Sequence, residues 1–501
     1  MPAISTPITS SLQRRSTLWT PAALALIPVS VVLTLLSACA APKIPESKAT
    51  VEAVARKLEP AWQAPLPHGG EQAQLNTWWA QWNDPALATL QAMAQAESSS
   101  LAQASAKIEQ ARAQLVIAGA STLPSVDLNN SVRRAALGIP PFGTPRTQLS
   151  TSLDASWELD LFGGFARGRE GATSRYTARQ LDWHEARVSL ASEVASNYVS
   201  YQQCLELSAA LQEDLAALTS TVNLTEQKIK VGLTAPADGA LLRASLANSR
   251  NQVIAQQGEC KLLLKALGFL SAAKEAEILE LMAKSAPAVR SASAPAFSIT
   301  TLPAQTLAQR ADLASLEREL AALAADVGVA EANRKPKLTF SGNIGWGALR
   351  FGGVSGGETG SGLAWGFGPA LSLPIFDAGR RQANVDVVAA RYTELSAQYQ
   401  FKARMAVREV EEAMLRLDSA TQRQAQAEAA IKDFQAYLAA AETRYRVGVG
   451  NLIELQEARR QTIAAQLNLI QLRRDRSLQW IALYKAMGGG WDGNAQGSLK
   501  S

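Results

Sequence analysis

The sequence predicts a mixed α and β fold written twice over. Each half reads as a helix, a pair of long amphipathic strands, a very long helix, a tight turn and a further helix. Three observations predict it. The landmarks of the first half recur in order in the second. Residues 172–231 and 380–447 contain neither Gly nor Pro. Ahead of each of these stretches, residues of opposite polarity alternate with period two.

The duplication is read from matched landmarks. Leu123-Pro124-Ser125-Val126-Asp127-Leu128 returns as Lys335-Pro336-Lys337-Leu338-Thr339-Phe340, an offset of 212. Leu159-Asp160-Leu161-Phe162 returns as Leu373-Pro374-Ile375-Phe376 at 214, and Val231-Gly232-Leu233 as Val447-Gly448-Val449 at 216. Lys265-Ala266-Leu267-Gly268 returns as Lys485-Ala486-Met487-Gly488 at 220. The first repeat is placed at residues 76–284, with strands about 124–137 and 148–162 and a long helix about 166–231. The second is placed at 306–490, with strands about 336–349 and 363–376 and a long helix about 380–447. Residues 285–305, rich in Ala, Ser and Pro, read as a linker, and 491–501 as a tail.

Uninterrupted helices of this size reach roughly 90–100 Å at 1.5 Å per residue and need lateral partners to persist. Val385, Val388, Tyr392, Leu395 and Tyr399 step 3-4-3-4 along the second one, the seam of a coiled coil.

Val126, Leu128, Asn130 and Val132 alternate with Asp127, Asn129, Ser131 and Arg133. On the return strand Leu149, Thr151, Leu153, Ala155, Trp157, Leu159 and Leu161 alternate with Ser150, Ser152, Asp154, Ser156, Glu158 and Asp160. Leu338, Phe340, Ile344 and Trp346 face away from Thr339, Ser341 and Asn343 in the second pair. Such strands suit a soluble sheet on a helix, but at about 13 residues they exceed the usual 5–6. Their aromatics (Trp157, Phe162, Trp346, Trp365, Phe367, Phe376) are placed near the strand ends, like a membrane girdle. Four strands cannot close a barrel, and open edges in lipid leave backbone groups unpaired. Three copies of the chain give a trimeric 12-stranded transmembrane β-barrel with a polar interior, a conduit.

The composition narrows the function classes. Among 501 residues there are 2 His and 3 Cys, with His68 and His184 far apart and no close cysteine pair. That points away from a His-based catalytic array, a Cys/His metal site, and hence an enzyme or a cofactor. Gly353-Val354-Ser355-Gly356-Gly357 has the spelling of a nucleophile elbow, but it lies in a Gly-rich loop and no histidine follows it. A formal charge of +5, with no basic run beyond Arg473-Arg474, argues against a nucleic-acid partner.

At the N-terminus, Arg14 and Arg15 precede the uncharged stretch Leu18 to Leu36 and then Ser37-Ala38-Cys39. A basic start, an apolar run and small residues before a cut read as a secretory signal, residues 1–38. Leu36 to Cys39 resembles a bacterial lipobox, which implies a covalent lipid on Cys39 as the mature N-terminus. Ala40, not Asp, follows it, which under the lipoprotein sorting rule points to the outer membrane. Residues 39–75 then form an anchor segment. No other stretch has the roughly 18 consecutive apolar residues of a spanning helix.

Trp78-Trp79, Trp82, Asp84-Pro85, Leu87 and Ile108-Glu109-Gln110-Ala111-Arg112 resemble the start of the outer-membrane efflux lipoproteins. Trp157 to Gly163, Leu373 to Gly379 and Tyr445-Arg446-Val447-Gly448 extend the resemblance over roughly residues 76–490. The chain is thereby identified as similar to the OprM/NodT-type branch of the TolC-like channels. The resemblance implies a homotrimer whose barrel in the outer membrane continues as a periplasmic α-helical barrel. It also implies docking to a periplasmic adaptor and an inner-membrane RND transporter, and the export of small molecules such as drugs.

The family carries site residues onto this sequence. The turns Val231-Gly232-Leu233 and Val447-Gly448-Val449 match the tips that meet the adaptor. Glu454 and Glu457 match the carboxylates of the periplasmic constriction, and Tyr445 a residue of the same gate. The sequence departs at Val449, where TolC itself has an arginine. Glu454 and Glu457 share a helix face, so three copies stack two carboxylate rings, whose like charges are expected to raise one another's pKa. Cys204 and Cys260 flank the first turn at nearly the same height, which permits a disulfide in an oxidising compartment. Two alternatives stand beside the efflux reading: the channel of a type I protein secretion system, and a non-conducting coiled-coil spacer lipoprotein.

Overall fold

The computed structural model describes residues 44–490 apart from 60, 66–74, 138–143, 285–293, 298, 300–302 and 352–358. The signal segment, Cys39, His68, the Gly353–Gly357 motif and the tail lie outside the described residues. In chain order the described elements open with α1 (Ser47–Ala55), a 3₁₀ turn (Leu75–Trp82), α2 (Pro85–Glu97) and α3 (Ser99–Ala120). There follow β1 (Ser125–Leu137), β2 (Thr144–Leu159), α4 (Gly164–Lys230), α5 (Pro236–Ser271), α6 (Glu275–Lys284) and α7 (Pro303–Ala308). The second half continues with α8 (Ala311–Ala332), β3 (Lys337–Phe351), β4 (Thr359–Ser372), α9 (Arg380–Arg446) and α10 (Leu452–Ala486). The halves match in detail: α3 and α8 have 22 residues each, and α4 and α9 have 67 each.

Two strands sit lower in sequence than their expected bounds. β2 starts at Thr144 and stops at Leu159, and β4 runs from Thr359 to Ser372. Phe162 and Leu373 to Phe376 therefore belong to the connections from sheet to helix, not to strands. The physical reason lies in the connecting residues. Pro374 has no N–H for a ladder. Asp160 accepts a hydrogen bond from the Ala166 N–H at 2.7 Å, and Asp377 accepts from the Gly379 N–H at 3.1 Å and Arg381 Nη1 at 2.8 Å. Gly163 and Gly379 then turn each chain into its long helix with φ of +72° and +83°, a backbone conformation that glycine adopts without a Cβ penalty.

The long helices find the lateral partners that their length requires. α4 packs on α3, α5, α8 and α10, and α9 packs on α8 and α10. Val385, Tyr392 and Tyr399 are buried along the seam, with the Val388 and Leu395 positions half-buried between them. The N-terminal segment runs against the second half. Thr50 shares a hydrogen bond with the Tyr392 hydroxyl at 2.8 Å, and the Gln63 and Ala64 N–H groups each donate to the Glu411 carboxylate at 2.7 Å.

The main core gathers around Trp78, which has no exposed surface. Its ring stacks on Tyr484 at 4.8 Å and meets Phe297 edge-on at 5.8 Å, while its Nε1 donates to the Pro295 carbonyl at 3.0 Å. Part of the stretch expected as a linker, 285–305, packs into this core. Ala294, Phe297 and Ile299 are buried core residues, and Pro303–Ala308 is helical. Composition reads this stretch as a spacer, but one aromatic and two aliphatic side chains suffice to tie its described part into the core.

Cys204 and Cys260 form a disulfide between α4 and α5, with Cα atoms 5.5 Å apart and a sequence separation of 56. Closing a loop of that size removes denatured-state freedom worth about 2–4 kcal/mol. Replacing both cysteines with serine is expected to lower the denaturation midpoint accordingly, read by urea titration of circular dichroism at 222 nm. Midpoints that coincide with and without the bridge reject this contribution.

Candidate functional site

The four strands form one antiparallel sheet in the order β1-β2-β3-β4. The register places Asp127 opposite Asp154 and Asp154 opposite Asn343, so one face collects the polar residues. That face has its own hydrogen bonds: Asn129 Nδ2 donates to Asp154 at 2.6 Å, Ser152 Oγ donates to Asp154 at 3.0 Å, and Ser131 and Ser150 share a bond at 2.7 Å. Lys337 pairs with Glu158 at 3.1 Å near the helix end of the same face.

The opposite face is predominantly apolar and largely exposed. Val126, Leu128 and Val132 of β1, Leu149, Leu153 and Trp157 of β2, Phe340 and Ile344 of β3, and Leu363, Trp365 and Phe367 of β4 all stand open. An apolar surface of this extent marks a face meant for lipid or a partner, not for water. β1 and β4 each have one edge without a strand partner among the described residues.

The aromatics do not form the expected terminal girdle. Trp157 lies near the helix end of β2, where its Nε1 donates to the Thr122 carbonyl at 3.0 Å. Trp346, Trp365 and Phe367 sit within the body of their strands, with the last two rings stacked at 6.1 Å, while Phe162 and Phe376 lie beyond the strands. Alternation fixes which face a residue takes, but its height depends on where the strand starts and stops: β2 and β4 start four residues earlier than the pattern suggests, and β3 runs two residues further.

At the far ends of the helices, the two turns close in the same way. The Gly232 N–H donates to Ile229 O at 3.0 Å and the Leu233 N–H to Lys228 O at 2.9 Å. The Gly448 N–H donates to Tyr445 O at 3.2 Å and the Val449 N–H to Arg444 O at 3.1 Å. This paired pattern, with φ of +76° at Gly232 and +84° at Gly448, is the Schellman end of a helix. It leaves Val231, Leu233, Val447 and Val449 projecting into solvent, Leu233 and Val449 being 76% and 78% exposed.

Glu454 and Glu457 stand one turn apart at the start of α10, and each carries a cationic partner. Arg444, at the end of α9, forms an ion pair with Glu454 across the turn. Asn451 caps α10 by accepting from the Glu454 N–H at 2.7 Å. Glu457 accepts from Arg460 at 2.5 Å and from Gln461 at 2.6 Å. Those two side-chain hydrogen bonds hold its carboxyl below the ordinary glutamate range, Arg460 contributing most. Within the chain, the nearest charge to Glu457 is the arginine three residues on, which acts on its carboxyl in the direction opposite to a like-charged neighbour. Tyr445 packs against the small apolar cluster of Leu218, Val222, Leu242, Leu246 and Leu452, and Lys228 Nζ lies 4.8 Å from its ring centroid. Arg444 is the residue that the sequence reading missed. Its place two residues before the C-terminus of α9 and ten before Glu454 was the available signal.

Comparison with known proteins agrees with this architecture. The family model for the outer membrane efflux protein matches residues 90–271 and 302–489, one segment per repeat. The pyoverdine export outer membrane protein OpmQ of Pseudomonas putida is 29% identical over 488 residues, covering 95% of this chain and 99% of that protein. The outer membrane protein OprJ of Pseudomonas aeruginosa is 28% identical, over 82% of this chain and 85% of its own length. The solved outer-membrane channel OprN superposes with a TM-score of 0.74 at 26% identity, covering 86% of this chain and 97% of that one. The Campylobacter jejuni CmeC outer membrane channel superposes with the same TM-score at 23% identity, over 85% and 90% of the two chains. With its duplicated TolC-like fold and a match spanning both repeats, the chain belongs to the outer membrane efflux protein family, the outer-membrane channels of efflux systems.

Proposed function

We propose that three copies of this chain close a single 12-stranded barrel and act as the passive outer-membrane duct of a tripartite RND-type efflux pump for small molecules such as drugs. The observation that carries the reading is the sheet: an exposed apolar face, a hydrogen-bonded polar face and two open edges. In hydrocarbon each unpaired backbone group costs several kcal/mol, and closure onto neighbouring copies removes both edges. Twelve strands exceed what side chains fill, so the polar face lines water. The duct has no catalytic group of its own; the energy comes from the inner-membrane transporter. A lipid on Cys39 adds a second anchor beside the barrel.

The exposed apolar tips are the docking surface for the periplasmic adaptor, and Glu454, Glu457 and Tyr445 belong to the periplasmic gate. Reconstitution tests the duct. Purified protein with the mass of three chains is expected to give stepwise ion conductance in planar bilayers, and a non-conducting monomer overturns the reading in favour of a spacer. For the tips, Leu233→Asp with Val449→Asp is expected to weaken chemical cross-linking to the adaptor about tenfold while leaving conductance unchanged. Undiminished cross-linking removes the docking role.

A further inference from the structure

On the apolar face of the sheet, one row differs from all the others. The register aligns Arg134 of β1, Thr147 of β2 and Arg350 of β3 side by side. By alternation they point the same way as Val132, Leu149 and Ala348 in the row below. Both arginines are exposed, and neither has an ion pair with a described residue. They are also the only charged residues on this face of the described strands, because Asp127, Asp154 and Glu158 all belong to the polar face.

Their height is informative. From Leu338 to Ala348 this face of β3 carries no charge, and those ten steps span about 33 Å along the strand. At the usual tilt of about 40° this becomes roughly 25 Å, the height of the apolar band of an outer-membrane barrel. Arg134 and Arg350 lie one row further, about 5 Å beyond the band by the same geometry. The helices leave from the opposite ends of the strands, so the arginine row sits at the hairpin end, away from the periplasmic helices. The two Cα positions are separated by one intervening strand, about 10 Å. That spacing lets two long guanidinium side chains converge on one phosphorylated headgroup, with the Thr147 hydroxyl as a further donor between them.

We propose that Arg134, Thr147 and Arg350 form a binding site on the outer wall of the barrel for the phosphate groups of lipopolysaccharide in the outer leaflet. The site rests on the barrel reading given above, which turns this face towards lipid. The chemistry fits because guanidinium binds phosphate through paired, charge-assisted hydrogen bonds. No carboxylate on the face competes for the arginines. A polar headgroup also satisfies an arginine that the hydrocarbon just below cannot.

The test uses the full-length trimer in detergent with purified lipopolysaccharide, read by native mass spectrometry and by displacement of a fluorescent lipopolysaccharide. R134Q/R350Q is expected to weaken binding about tenfold or more, and lipopolysaccharide stripped of its phosphates to bind the wild type as weakly. R133Q/R146Q changes arginines at the same end but on the polar face, and is expected to leave binding unchanged. Millimolar inorganic phosphate is expected not to compete. Equal binding by R134Q/R350Q, equal binding of the dephosphorylated lipid, an equal loss in R133Q/R146Q, or displacement by free phosphate overturns the site. Trimer mass and single-channel conductance are measured on the same preparations. Normal channels with unaltered lipid binding reject this site alone, whereas the absence of trimers and channels from the wild type rejects the barrel and the site together.

Discussion

Glu454→Ala combined with Glu457→Ala raises the single-channel conductance of the reconstituted protein several-fold and weakens its preference for cations. The expectation follows from the ion pair that joins Arg444 at the end of α9 to Glu454 at the start of α10. Together with the Asn451 cap, that pair holds the second turn closed. Removing both carboxylates frees Arg444 and Arg460, so the proposed gate loses its negative groups and gains uncompensated positive ones. The pH dependence has a definite sign. Because Arg460 and Gln461 lower the Glu457 pKa, its pairing is complete above the ordinary glutamate value of 4.5 and is lost only as the pH falls through the lowered one. Wild-type conductance is therefore expected to stay level from about pH 8 to about pH 5 and to change only in stronger acid. Identical current traces for wild type and double variant reject the gate role of these residues.

The second large effect is expected at Gly488, just after α10. Its φ is +95°, and a Cβ there would sit 2.1 Å from the Gln309 carbonyl oxygen and 2.9 Å from its carbon. The neighbouring backbone is fixed as well. The Gly489 N–H donates to Tyr484 O at 3.0 Å, and the Tyr484 hydroxyl donates to Gly489 O at 2.6 Å. Gly488→Ala must push this loop away from Gln309 while holding an unfavourable φ, at a cost of about 3 kcal/mol or more. Gly258→Ala is the matched control, since that glycine is helical and has nothing within 4 Å of the added carbon. It is expected to raise stability by about 0.5–1 kcal/mol. Tryptophan fluorescence during guanidinium unfolding reads both, because Trp78 and Trp480 lie in the core beside Tyr484. A Gly488→Ala midpoint equal to that of wild type contradicts the steric argument.

Much of the architecture was legible because its signals are local. Absence of Gly and Pro marks α4 and α9, period-two alternation marks both strand pairs, and Gly232 and Gly448 mark turns with left-handed backbone. What escaped depends on contacts distant in sequence. Trp78 was recognised as part of a motif, but its stacking on Tyr484 joins residues about four hundred positions apart. The burial of Phe297 could not be read from a stretch dominated by Ala, Ser and Pro. Strand ends shifted because Leu161-Phe162 and Ile375-Phe376 continue an apolar rhythm past residues whose backbone has already left the sheet. At the turn, the two glutamates were visible, but the cation that answers Glu454 comes from the preceding helix.

The duplicated halves differ in one covalent respect. The first hairpin, α4 with α5, is riveted by Cys204 and Cys260, whereas the second, α9 with α10, contains no cysteine at all. Two leaves of nearly equal length thus have unequal freedom. Shear between the helices of the first is blocked partway along their length, while those of the second can slide against each other and are latched only by noncovalent contacts. If the mouth of the duct dilates by sliding of paired helices, the second leaf is the one whose helices have no covalent tie to resist it.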